Sequence, residues 1–245
     1  MGERTGIEWT DATWNPWIGC TPVSAGCDHC YMARAAHRWG WDPGIVVRTS
    51  AKTFRAPLKW RARRIFTCSW SDFFHVDADA WRDDAWDVVR STPQHRSLVL
   101  TKRPERVFGC LPPDWHAAGR FDHVWLGVTV KEQAQTHRIP EILCAGGHAG
   151  VFVSAEPLLG PLDLSGYERI ISWLIVAGES GPGARTMESE WVVKASEWAL
   201  GAHVPYFFKR WADDRDIPGV RARWERREVP EALSGLALPG AGRMN

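Results

Sequence analysis

The sequence predicts an α/β protein built on a parallel sheet. Two observations carry that prediction. Short, continuously apolar runs recur along the chain with helical or loop-helix segments between them, the pattern of strands buried on both faces. Polar, chemistry-bearing residues fall at the C-terminal side of nearly every run, where a parallel sheet gathers its loops into one site.

The N-terminal MGERTGIEWTDATWNP has no apolar core of signal-peptide length, and no later stretch approaches the length of a membrane span. A cytoplasmic protein without membrane attachment is expected. After the cysteine-bearing GCTPVSAGCDHCYM, the segment MARAAHRW (32–39) has the composition of a helix beginning at or just after Cys30. RRIFTCSWSDFFH (63–75) passes from a β-prone run into polar residues, and DADAWRDDAWDVVRS (77–91) spaces Trp81, Trp86 and Val89 as a helix does. Strands are predicted again in SLVLTKRPERVFGCL (97–111), HVWLGVTVKEQAQTHRIPEILC (123–144), GVFVSAEPLLGPLDL (150–164), SWLIVAGESGPGARTM (172–187) and VPYFFKRW (204–211). Six β-runs therefore follow the cysteines. The rhythm stops near residue 212, so 1–211 reads as one domain and 212–245 as an irregular, charged extension.

The 245 residues include 30 basic and 29 acidic side chains, a net charge of +1 that gives no long-range field for polyanions. Any such site must be local. Two short basic clusters, Arg55/Lys59/Arg61/Arg63/Arg64 and Arg221/Arg223/Arg226/Arg227, are weak hints of one, since solvated surfaces are often charged in this way. Sixteen tryptophans are far more than usual. Trp81, Trp86, Trp125, Trp173, Trp191 and Trp198 sit in helix or strand patterns and are expected to pack the core. Trp9, Trp14 and Trp17, near the cysteines, are placed to shield a metal group from water.

Of six cysteines, Cys68, Cys110 and Cys144 stand alone, whereas Cys20-x6-Cys27-x2-Cys30 are clustered. Three thiolates in one loop suit an iron–sulfur cluster or zinc. Structural zinc wants a closed set of four ligands, and His29 or Cys68 supplies a fourth only by fortunate geometry. A [4Fe–4S] cluster on three thiolates leaves one iron open for another ligand. The strand ends add Ser69, Ser71, Asp72, Lys102, Arg103, Thr129, Glu156, Glu179, Ser180 and Lys209, with Trp211 available for stacking.

These residues resemble the radical S-adenosylmethionine (SAM) superfamily, whose signature is three cysteines, the last two as CxxC followed by an aromatic, here Tyr31. The spacing of six residues after the first cysteine departs from the usual three. More closely, IEWTDATWNPWIGCTPVSAGCDHCY together with SWSDFFH, LTKRPER, LGVTV, SAEPLLGPLDL, AGESGPGAR and FFKRW resembles a phage- and prophage-associated family of unknown function regarded as radical-SAM-like. The resemblance implies a parallel partial (β/α)6 TIM-like barrel, a [4Fe–4S] cluster on Cys20, Cys27 and Cys30, and SAM as cofactor. It implies reductive cleavage of SAM to a 5′-deoxyadenosyl radical that abstracts hydrogen from a substrate.

By the same analogy Ser69, Ser71 and Asp72 meet the SAM methionine, Lys102 and Arg103 pair its carboxylate or a substrate phosphate, and Tyr31 and Thr129 join the cofactor-binding set. Glu156 and the turn at Glu179 and Ser180 suit nucleoside hydroxyls, and Lys209 closes the series. A nucleic acid or nucleotide substrate, an electron-donating reductase and a partner protein complete the expectation. Two other classes remain open: a non-catalytic zinc or iron–sulfur nucleic-acid-binding module, and a metal-dependent hydrolase, which would want His and Asp at the strand ends.

Overall fold

The computed structural model describes residues 2–143, 145–146, 149–212 and 224–234; Cys144, Arg221 and Arg223 lie outside them. Its frame is one seven-stranded parallel sheet, curled into a half-barrel. The strands are β1 (Ala12–Trp14), β4 (Arg64–Thr67), β5 (Arg96–Thr101), β6 (Val124–Thr129), β7 (Gly150–Ala155), β8 (Ile171–Val176) and β9 (Tyr206–Phe208), adjacent in that order. The intervening β2 (Trp17–Ile18) and β3 (Val47–Arg48) form a separate antiparallel ribbon. The six expected β-runs are all strands, and a seventh, β1, precedes the cysteines. It is too short to have announced itself by periodicity.

Both faces of the strands are apolar, as a covered parallel sheet requires. Along β5, Val99 points to one layer and Leu98 and Leu100 to the other; along β7, Val151 and Val153 oppose Phe152. The larger layer packs Val99, Leu126, Val153 and Leu174 against Trp86 and Val89 of α3 (Asp79–Arg90), Ile139 and Ile142 of α4 (Arg138–Leu143), and Val192 and Ala199 of α5 (Ser189–Gly201). Two crossovers depart from the expected helical pattern. Only short 3-10 turns join β5 to β6, and no helix joins β7 to β8. Prolines at 104, 112, 113, 157 and 161 fall in those two connections and remove helix donors.

The smaller layer is an aromatic plug: Trp9, Phe66, Trp125, Phe152, Trp173 and Phe207. Trp9 lies 4.7 Å from Phe66 and 6.2 Å from Trp173, the latter edge to face. Gly127 is required here, because a Cβ would overlap the Phe152 ring. Of the six tryptophans expected in the core, Trp86, Trp125 and Trp173 are buried, while Trp81, Trp191 and Trp198 are partly buried against it.

The segment after 212 is no loose appendage where it is described. Phe208 N donates to Arg226 O, Glu228 N donates to Tyr206 O, and Leu233 joins the aromatic plug. An antiparallel bridge, Phe207 to Arg227, covers β9, as Gly2 to Thr13 covers β1. Both sheet edges are thus shielded from further strand pairing.

Candidate functional site

Above the plug, at the C-terminal ends of the strands, lies a cavity of about 380 Å³. Cys20, Cys27 and Cys30 line it, and so does every strand-end residue singled out from the sequence, from Ser69 to Lys209, together with Tyr31. The polar series therefore converges as a parallel sheet demands. The cavity floor is Ile7, Trp9, Phe66 and Leu100.

The cysteine loop roofs this space. Cys30 is the residue before α1 (Tyr31–Arg38), so that helix points its N-terminus at the loop. Cys20, Cys27 and Cys30 are all free thiols and partly buried. Burial pushes the Cys20 thiol up despite Arg103, whose Nη1 stands 3.6 Å from its sulfur. For Cys27 burial also acts upward, but backbone donors and Lys102 outweigh it and the net shift is down. Among the described residues, no three His, Cys, Asp or Glu side chains are arranged to share one metal ion.

Three cations from three strand ends hold the loop by its backbone. Arg103 Nη2 donates to Thr21 O at 2.8 Å, Lys131 Nζ to Gly26 O at 2.5 Å, and Arg185 Nη1 to Ala25 O at 3.1 Å. Lys131 fits only because residue 26 is glycine, whose Cβ would overlap the lysine stem. Burial, helped by repulsion from Lys102, brings the Lys131 ammonium down to about 7. Arg34 Nη2 donates to Ser180 O at 2.7 Å, tying α1 to the end of β8.

This arrangement gives two carboxylates a role that the sequence did not indicate. Asp72 is 4% exposed and has no vacant position for an ammonium. Its Oδ1 accepts from Thr101 Oγ1 and Phe74 N, and its Oδ2 from Lys102 N and Arg103 Nη1. Glu179 accepts from Arg185 and shares a 2.8 Å hydrogen bond with His29 Nδ1. Burial acts upward on Glu179, yet these partners hold it down to about 2. Both carboxylates aim cations at the loop and are positioning residues. Arg103 is spent in the same way. Ser71 donates to Gly19 O, and Tyr31 to Ser69 O.

Still facing the cavity are Thr129, Ser154 and the Glu156–Lys209 ion pair, at 2.8 Å on adjoining strand ends. Thr129 Oγ1 and Trp9 Nε1 are buried and have no hydrogen-bond partner. Buried polar groups are nearly always paired, so each of these is open to a group bound in the cavity.

Three aromatic expectations change. Trp9 lines the cavity, but Trp14 and Trp17 pack in the outer layer, their indoles donating to Phe54 O and Asp72 O. Trp211 also belongs to that layer, 4.9 Å from Phe208 and bonded to Glu225, and does not reach the cavity. Residues the sequence reading missed are Lys131, Arg185, Arg34 and Trp70. Lys131 could have been found: it continues the alternation from Thr129 onto the same face.

A family model described as "Protein of unknown function (DUF5131)" matches residues 4–235, nearly the whole chain. The chain belongs to that family. The match passes residue 211 and includes the segment that covers β9. No curated protein and no solved structure matches the chain.

Proposed function

We propose that this DUF5131 member is a radical SAM enzyme that holds a [4Fe–4S] cluster on Cys20, Cys27 and Cys30. The observation that carries the reading is the convergence of three free thiols and two orphaned buried donors on one cavity. The donor set fits: three thiolates leave one iron of a cubane open, and Arg103 and Lys131 offset the negative charge such a group carries. Bound there, the cluster would supply the electron that splits SAM into methionine and a 5′-deoxyadenosyl radical, which takes hydrogen from a substrate.

The chain's own part is to bind, orient and exclude water. Arg103, Lys131 and Arg185 fix the loop so that the thiols stay over the cavity. Thr129, Ser154, Glu156 and Lys209 offer donors and acceptors to ribose hydroxyls and base edges. Trp9 Nε1 gives the floor one donor within an otherwise apolar surface that accepts a flat ring.

The test is anaerobic reconstitution with iron and sulfide, chemical reduction, and measurement of 5′-deoxyadenosine formed from SAM. Formation of the nucleoside, lost together with the cluster absorbance in Cys27→Ala, supports the reading. A well-formed cluster that never turns SAM over would leave a binding module, and retention of cluster by Cys27→Ala would mean other ligands.

A further inference from the structure

Five cations, Arg34, Lys102, Arg103, Lys209 and Arg210, and the partly charged Lys131 line the cavity against three carboxylates, Asp72, Glu156 and Glu179. The chain as a whole is nearly neutral. The two groups proposed above do not account for this surplus: an oxidised cubane on three thiolates carries about one net negative charge, and SAM, whose sulfonium and ammonium outweigh its carboxylate, cancels it as a cation. Nor does the loop use all of it. Lys102 has no ion-pair or side-chain hydrogen-bond partner among the described residues, and Arg210 Nε is buried without one. The imbalance calls for an anionic ligand in addition to SAM.

The rim says what kind. Trp70 lines the cavity, and Trp39, the residue that ends α1, stacks on it with centroids 5.1 Å apart and planes 12° from parallel. Trp41 lies near-parallel to Trp70 as well, at 6.3 Å and 21°. Trp39 is 64% exposed. Buried indole pairs elsewhere, Trp9 with Trp173 and Trp86 with Trp115, meet edge to face. A flat, solvent-facing indole stack whose inner ring shares a cavity lining with an unpaired lysine suits single-stranded nucleic acids, which put bases on rings and phosphates on cations. A sugar or an apolar peptide would use the rings and leave the charge unanswered.

We propose that the cavity mouth binds a single-stranded nucleic acid, one base stacking on the Trp39–Trp70 pair while the adjoining phosphate is met by Lys102. Trp70 lines the cavity whereas Trp39, stacked on it, is exposed and does not, so a base held on Trp39 neighbours the nucleotide that enters. A strand, and not a free nucleotide, uses both places. This rests on the cavity being the reaction chamber proposed above, and it names the substrate class for it.

Binding of fluorescein-labelled single-stranded DNA and RNA to the full chain, read by anisotropy, tests this without any turnover. Trp39→Ala should weaken binding roughly ten-fold or more, and Trp39→Phe should restore most of it. Lys102→Ala should lower the slope of log affinity against log salt by about 0.7. Absence of strand binding, or binding that neither variant changes, overturns the proposal; so does a mononucleotide that competes as well as the strand. Strand binding that depends on Trp39 but comes without 5′-deoxyadenosine would keep this surface and sink the radical chemistry. SAM cleavage without strand binding would do the reverse.

Discussion

The two ends of the parallel strands carry the same residue types and use them differently. At the N-terminal ends, Arg63 pairs with Glu3 at 3.1 Å and Arg64 with Asp11 at 2.8 Å, each cation matched by a carboxylate on a neighbouring segment. At the C-terminal ends, carboxylates steer cations toward backbone carbonyls of the cysteine loop, and further cations are left over. The basic cluster that catches the eye in the sequence, 55–64, leads into the first kind of end. Charge density in the sequence is thus a poor guide to a site; unmatched charge in the fold is a better one.

The sharpest way to break this comparison is Asp72→Ala. It strips the buried Arg103 of its partner, and an uncompensated buried charge costs about 3–5 kcal/mol, to be read from urea denaturation. A loss below 1 kcal/mol would mean that the C-terminal ends are no more interdependent than the N-terminal ones. Gly26→Ala is next: displacing Lys131 from the loop should cost about 1–2 kcal/mol, with an unsatisfied carbonyl left behind, and should reduce iron retained after reconstitution.

Acid probes the same clamp through Glu179. Its folded pKa, about 2, lies below the ordinary 4.5, so its contribution is complete above that ordinary value and is lost as pH falls toward 2. Denaturation midpoints between about pH 6 and pH 3 should therefore fall more steeply for the wild type than for Glu179→Gln. Equal slopes would remove Glu179 from the clamp. The smallest effect is expected at the other end, where Arg63→Ala breaks a pair whose Glu3 is 44% exposed and should cost under about 1 kcal/mol in the same assay.

Much of the fold was legible because burial on both faces writes itself as apolar runs, and because parallel strands send their polar ends one way. That is why Lys102, Thr129, Glu156 and Lys209 were found from sequence and do line one cavity. What each does there was less legible. Asp72 looks like a ligand for an ammonium until its acceptor positions are counted, one of them filled by Thr101, 29 residues away, and Glu179 meets His29 across 150 residues. Arg185 lies beyond a glycine-rich turn that reads as nothing more than a turn. The Trp39–Trp70 stack joins a helix end to the loop after another strand, a proximity that no local periodicity encodes.

The grip on the cysteine loop has a consequence for how the loop can change. Arg103, Lys131 and Arg185 all take hold of peptide oxygens, which every amino acid supplies alike. Thr21 and Ala25 are exposed, and apart from the Thr21 hydroxyl their anchors do not depend on identity. Substitution there is cheap, whereas adding or removing one residue between Cys20 and Cys27 slides every carbonyl past its cation. The six-residue interval is the part of this loop that is held to measure, and apart from Gly26 its spelling is largely free.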